Sequence, residues 1–170
     1  MIFVEPIRDS KLLIYWLILL VVDGGPRNFT LVNTSHKYIA YLDDDNWWEP
    51  NHLEALYAAI KEKDVDFVFT GTRVFDEEGN LMSERIATSP GWGCIDTSEI
   101  MHNRRLIIDV HGGWHWQDLA SVPCDWDLVS RWLNGGATWA HTNQITLNYT
   151  IRASGISTPR DHKKIQYKLH

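Results

Sequence analysis

Three successive carboxylates, Asp43, Asp44 and Asp45, end the apolar run from Tyr38 to Leu42. Like charges at a strand end repel one another. A hard divalent cation offsets that repulsion, because oxygen ligands suit Mg²⁺ or Mn²⁺. Sites of this kind often take one or two carboxylates from the protein and further oxygens from a substrate's phosphates. The pattern leaves open a plainer alternative, a solvated acidic turn that caps the following helix. A further carboxylate, Asp125, stands just ahead of Trp126-Asp127-Leu128, where a helix is expected to begin. By spacing alone it reads as the helix cap, a position that Asp fills well. Arg27 carries a fork of donors matched to a diphosphate, and it suits an ordinary surface ion pair equally well. Arg152 has the same two readings. His102, His111, His115 and His141 show no ligand spacing such as HxxxH and read as surface or satisfied polar residues. His141 is the best placed of them for a metal shell, since it ends an expected strand.

The elements that must hold these residues alternate between strand and helix. A buried strand is expected near Leu17–Val22, within the eleven apolar residues Leu12 to Val22. That run is too short for a membrane span, which needs about 20 residues. The Val22-Asp-Gly-Gly that follows is not a signal-peptide cleavage site. Pro50 suits the first turn of a helix reaching about Lys63, with Leu53, Leu56, Tyr57 and Ile60 on one face. A strand over Phe67–Thr70 follows. Val74-Phe75 and Leu81-Met82 flank a hairpin turn, Asp76 to Asn80. Ser98–His102 reads as a strand, and Arg104–Asp109 as a short helix closed by Gly112-Gly113. Trp126–Leu133 reads as a helix ended by Gly135-Gly136. Late strands are expected at Thr138–His141 and Thr146–Ile151. The alternation predicts an α/β fold, with a mainly parallel sheet flanked by helices and some antiparallel additions. In such sheets ligands bind at the carboxyl ends of strands, where Asp43–Asp45 fall. Residues 1–153 form one domain in this reading, and 154–170 a polar tail.

Composition narrows the function. The 170 residues suit a single domain, and 44% hydrophobic content supplies a core. A net charge of −6 argues against a nucleic-acid partner held on a broad basic face. Cys94 and Cys124 make neither a disulfide framework nor a CxxC metal pattern, so a reduced, cytoplasmic protein is the expectation. Of the nine tryptophans, Trp47, Trp48, Trp92, Trp114, Trp116 and Trp126 fall beside the carboxylates in the motif order. Aromatic faces there suit sugar subsites. Core packing is the competing role, and it is favoured for Trp126 and Trp132, near helical spacing. An unrelated two-metal phosphohydrolase needs more grouped carboxylates or histidines than the sequence offers.

Several segments, in order, resemble one family. Arg27-Asn28, Tyr38-Ile-Ala-Tyr-Leu-Asp-Asp-Asp45 and Trp48-x-Pro50-x-x-Leu53 are similar to the centre of family 2 glycosyltransferases of the GT-A fold. Gly91-Trp-Gly-Cys-Ile-Asp-Thr-Ser-Glu-Ile-Met-His102 resembles that family's acceptor-side strand. Gly112-Gly-Trp114 and Asp125-Trp-Asp-Leu-Val-Ser-Arg-Trp132 resemble its "GGW … EDWDLWLRL" segment. Leu19-Leu-Val-Val-Asp23-Gly-Gly resembles its second strand, whose aspartate contacts the nucleoside. The resemblance covers about residues 23 to 152.

It implies a GT-A-like α/β domain and an inverting, metal-dependent transfer of sugar from a UDP- or GDP-linked nucleotide-diphospho-sugar to the hydroxyl of a glycan or other acceptor. It makes Asp43–Asp45 the DxD motif, with Asp43 and Asp45 as Mn²⁺ or Mg²⁺ ligands. Asp23, Arg27, Asp43, Asp44 and Asp45 would bind the donor. Trp92, Trp114 and Trp126 would line the acceptor side, and Asp125 would be the base. The sequence departs from the family at Cys124, where a glutamate is usual. Only four residues separate Val22 from Arg27, so the nucleotide half is expected to be shortened. A catalytically inactive or binding-only relative is the alternative reading. Apolar surface left by missing elements, with Leu12–Val22, leads to the expectation of a homo-oligomer.

Overall fold

A computed structural model describes residues 24–106, 112–115 and 124–152. The expected strand at Leu17–Val22, Asp23, the second half of the short helix Arg104–Asp109, His111, Trp116 and the tail 154–170 lie outside the described residues. So does the Leu12–Val22 segment expected at an oligomer contact. In chain order the elements are α1 (Gly24–Asn33), β1 (Tyr38–Ala40), β2 (Trp47–Trp48), α2 (His52–Lys63), β3 (Phe67–Phe75), β4 (Leu81–Arg85), a 3-10 turn (Thr97–Glu99), β5 (Ile100–Asn103), α3 (Cys124–Asn134) and β6 (Trp139–Thr150).

The strands form one sheet in the order β1-β5-β3-β6-β2, with β4 also paired to β3. β3 is long enough to hold two partners along one edge, β5 at Phe67–Phe69 and β4 at Thr72–Phe75. β6 runs parallel along its other edge. β1, β3 and β6 thus share a direction, while β5, β4 and β2 run against it. The α/β reading holds. The antiparallel additions are more extensive than expected, making up four of the five ladders among the described residues. The cause is connection length. A short turn returns β3 into β4, whereas parallel strands need a crossover, which α2 and α3 supply.

Local chemistry explains the boundaries. α2 begins at His52, so Pro50 precedes the helix rather than occupying its first turn. The helix buries His52, Leu56 and Ile60, one residue per turn, and ends at Asp64 in the left-handed region. α3 starts two residues earlier than expected and closes at Gly136, whose φ of 82° suits glycine. The two late strands are one strand, β6. Asn143 takes a φ of 58°, and the register against β3 slips around it, so extra residues of β6 are accommodated as a bulge. α1 is not among the elements expected from the sequence; it includes Pro26, which is tolerated in a helix's first turn.

The core has two layers, one on each face of the sheet. Phe67 and Phe69 pack with Leu31 of α1 and Leu128, Val129 and Trp132 of α3. Val68, between them in sequence, points the other way and packs with Leu56 and Ile60 of α2. Trp132 is fully buried against Phe67 at 5.3 Å and His102 at 4.9 Å, as favoured for it from its spacing. No helix among the described residues is long and apolar enough to cross a membrane.

Candidate active site

The sheet's directions bring distant segments to one edge. β1 and β6 end there, delivering Asp43–Asp45 and Arg152. β5 begins there, because an antiparallel strand starts where its parallel neighbours finish, and so it delivers the turn Thr97–Glu99. Asp45 Oδ2 lies 3.5 Å from Arg152 Nε, which closes the edge between β1 and β6. Asp43 Oδ1 accepts a hydrogen bond of 2.6 Å from Arg27 Nη2. Asp44 is exposed. The carboxylate triplet is therefore divided, with its first and third members each facing an arginine. Among the described residues no three His, Cys, Asp or Glu converge on a ready metal position.

Arg27 is aimed by a chain of buried contacts. Its guanidinium lies 4.4 Å from the centre of the Trp114 ring, a cation–π contact. Trp114 is 2% exposed, so its indole supports Arg27 from within the core. Asn28, beside Arg27 on α1, clamps Trp114: its Nδ2 donates to the Trp114 carbonyl and its Oδ1 accepts from Trp114 N, each at 2.7 Å. Trp114 Nε1 donates to Tyr41 Oη at 3.3 Å. His102 Nδ1 donates to the Asn103 carbonyl at 2.9 Å, so its Nε2 accepts from Tyr41 Oη at 2.8 Å. Burial holds the His102 pKa down to about 4, which keeps the imidazole neutral and able to accept. His102 is the satisfied polar residue its sequence context suggested.

Gly113 packs against this clamp. A Cβ placed there would collide with Asn28 Oδ1. Gly113→Ala should therefore expel Asn28 and leave Trp114 N–H unpaired, costing about 1–3 kcal/mol as a buried orphan donor. Thermal unfolding checks this: a midpoint equal to the parent's would show that Asn28 moves without penalty.

Asp125 sits in the first turn of α3, and its Oδ1 accepts from Trp126 N at 2.7 Å. It serves the helix start as spacing suggested, from inside the helix rather than from the cap position. Burial pushes its pKa up, with Arg27 opposing and Asp43 reinforcing the shift. Asp43 is pushed up to about 6, first by burial and then by Asp96, with Arg27 pulling it down. Asp96 is raised by burial and by Asp125. Asp43 and Asp125 thus share Arg27, while Asp96, which bears on Asp43 and feels Asp125, has Arg85 as its opposing charge. Asp96 escaped the sequence reading. Its signal was the spacing Asp96-x-x-Glu99, a capping-box pattern, and the structure forms that box.

The remaining expected residues divide by exposure. Trp92 is 52% exposed. Trp126 is half-buried and packs on the core. Asp127 and His115 meet at 3.0 Å, and Asp127 also holds Arg131, whose Nη2 donates to the Gly113 carbonyl at 2.9 Å. These bonds tie α3 to the loop that carries Trp114. His141 stacks edge-on to Phe69, and its Nδ1 accepts from Asn143 N at 2.8 Å.

The profile of glycosyl transferase family 2 matches residues 24–116, more than half of the chain. The O-antigen biosynthesis glycosyltransferase WbnJ of Escherichia coli is 25% identical over 137 residues, which cover 73% of this chain and 51% of WbnJ. The chain thus spans about half the length of that curated relative. Crystal structures of S. aureus TarS 1-349 share the fold. The complex with UDP-GlcNAc has a TM-score of 0.56 at 16% identity, covering 84% of this chain and 45% of TarS 1-349. The UDP complex has a TM-score of 0.54, also at 16% identity, covering 76% and 40%.

Proposed function

As this chain belongs to glycosyl transferase family 2, we propose that its acidic sheet edge transfers a sugar, with inversion, from a UDP- or GDP-linked donor to the hydroxyl of a glycan or other acceptor. The observation that carries this reading is the convergence of Arg27, Asp43 and Asp125 from three elements at one strand edge. The nucleotide-sugar assignment draws support from the likeness to TarS, whose structures hold UDP and UDP-GlcNAc.

Each residue's part follows from its surroundings. Arg27, fixed on Trp114, would meet the diphosphate. Asp43 and Asp45 fit Mn²⁺ or Mg²⁺ as an incomplete carboxylate set that diphosphate oxygens would fill out. When bound, that ion supplies Lewis-acid stabilisation of the leaving diphosphate. Asp125 would take the proton from the acceptor hydroxyl as its oxygen bonds to the anomeric carbon and the bond to the diphosphate oxygen breaks. Burial, by raising the proton affinity of Asp125, suits it to that step. Trp92 offers an exposed face for a sugar ring, and Trp126 a partly open one. Trp114 would act on the acceptor side only indirectly, by holding Arg27 in place.

Calorimetry with Mn²⁺ and a panel of nucleoside diphosphates tests the donor site. UDP or GDP should bind with Mn²⁺ and much more weakly in chelator. Equal binding with and without metal would remove the metal from the scheme, and no binding would remove the donor site.

A further inference from the structure

The acidic turn is short, charged and crossed by few backbone bonds of its own. Its tethers meet on one residue across the sheet edge. Asp43 N donates to Ser98 Oγ at 3.2 Å, and Asn46 Nδ2 donates to the same oxygen at 3.1 Å. Trp48 Nε1 donates to the Ser98 carbonyl at 2.9 Å. Ser98 is fully buried. A hydroxyl has two lone pairs and one proton. Both lone pairs are taken by the turn.

Ser98 is itself held on both sides. Its N–H donates to Asp96 Oδ1 at 2.8 Å, and Asp96 N donates to Glu99 Oε2 at 3.0 Å. Glu99, also buried, accepts from Thr72 Oγ1 on β3 and from Arg85 Nη2 on β4 at 2.9 Å. Asn46 is anchored at its other end, since its Oδ1 accepts from Thr150 N on β6 at 3.4 Å. A bracket built from β3, β4 and the turn leading into β5 thus ends in one hydroxyl, and that hydroxyl grips the start and end of Asp43–Asn46.

We propose that Ser98 is a positioning residue for glycosyl transfer, setting the acidic turn so that Asp43 and Asp45 present their oxygens to a metal–diphosphate pair. This rests on the donor site proposed above. Ser98 touches no substrate atom in this role. It acts through the backbone of Asp43 and the side chain of Asn46. Thr97 and Glu99 on either side are buried too, so burial alone does not single out Ser98; its bonds to the turn do.

The test is a double-mutant cycle on the full chain, Ser98→Ala, Asn46→Ala and the pair, read as the Kd for UDP and for GDP in Mn²⁺ by calorimetry. Partners that orient metal ligands typically carry about 10–100-fold in affinity. Ser98→Ala should weaken metal-dependent diphosphate binding by that order. Asn46→Ala should weaken it too, and the double variant should be little worse than the poorer single one, because both remove the same bracket. Ser98→Ala binding as the parent does, or the two effects multiplying as if independent, overturns the proposal. Should Ser98→Ala fail to fold by circular dichroism, Asn46→Ala decides alone, and its binding at parental strength overturns the proposal. A parent that binds neither UDP nor GDP in Mn²⁺ instead overturns the donor site on which the proposal rests.

Discussion

Asp125→Asn should transfer sugar about 10²–10⁴-fold more slowly than the parent, the usual cost of losing a general base. The fold should survive. Asn keeps a side-chain oxygen that can accept from Trp126 N, the 2.7 Å bond that Asp125 makes at the start of α3. The carboxyl of Asp43 owes its raised pKa to burial and then to Asp96, with Asp45 adding, so the substitution leaves its main determinants in place. Donor and metal affinity should therefore stay near parental, and the loss should fall on turnover. The pH profile separates this from structural damage. Burial raises the Asp125 pKa, with Asp43 adding to the rise and Arg27 from α1 opposing it. Asp96, from the segment leading into β5, faces the same carboxyl. The base works deprotonated, so the parent's rate should climb with pH above the ordinary carboxylate range, and the variant should keep only the limb set by Asp43, pushed up to about 6. Transfer at parental speed by Asp125→Asn, or a product with the donor's anomeric configuration, would remove Asp125 as the base of an inverting reaction.

Local pattern carried the elements whose signals lie within a few residues. Leu56 and Ile60 mark α2, and Asp76 to Asn80 between apolar pairs marks the β3–β4 hairpin. Gly135-Gly136 marks the end of α3. Pattern failed where a distant partner overrides a local preference. Gly24 to Asn33 carries no element expected from the sequence, yet α1 forms there and buries Leu31 in the core beside Trp114 and Trp132. Thr142 to Ile145 lies between the two strands expected from the sequence. Instead β3, running alongside as a template, carries the ladder past a bulge at Asn143.

The site was legible as an inventory and much less so as an arrangement. Asp43–Asp45 announce themselves by charge, but nothing local says that Asp43 and Asp45 face different arginines, 16 and 107 residues away in sequence. The support behind Arg27 was equally hidden. Asn28 and Trp114 are 86 positions apart, and Tyr41 and His102 are 61. Each looks like an ordinary polar or aromatic residue until the sheet order joins them. Asp96 shows why motif reading passes over buried carboxyls. It belongs to no run of like charges in the sequence, and its charge partners, Arg85 of β4, Asp125 of α3 and Asp43 beyond β1, are distant in the chain.

Asp45→Ala should abolish metal-dependent binding of UDP or GDP. Among the described residues Asp45 is held by Arg152 alone, a 3.5 Å pair with Arg152 half-exposed. Exposed pairs of that kind contribute about 0–1 kcal/mol, so Arg152 competes weakly for the carboxylate. Asp43 differs. Its shorter bond to Arg27, on the rigid Trp114 support, leaves it less free. A metal arriving alone would meet one loosely held carboxylate and one occupied by an arginine. A metal arriving with diphosphate would bring oxygens of its own and an anion for both arginines. Metal binding by the parent should therefore be weak without diphosphate and strong with it, and Asp45 should be the carboxylate that decides the difference. Removing it leaves Asp43 with Arg27, and leaves Arg152 free to hold phosphate but not metal. The variant should keep a weak diphosphate affinity that no longer responds to Mn²⁺ or to chelator. Because the Arg152 pair stabilises the fold so little, its thermal unfolding should match the parent's. Calorimetry at fixed UDP or GDP, titrated in Mn²⁺ and again in chelator, reads both effects. Asp45→Ala binding with the parent's metal dependence would move the metal off this residue.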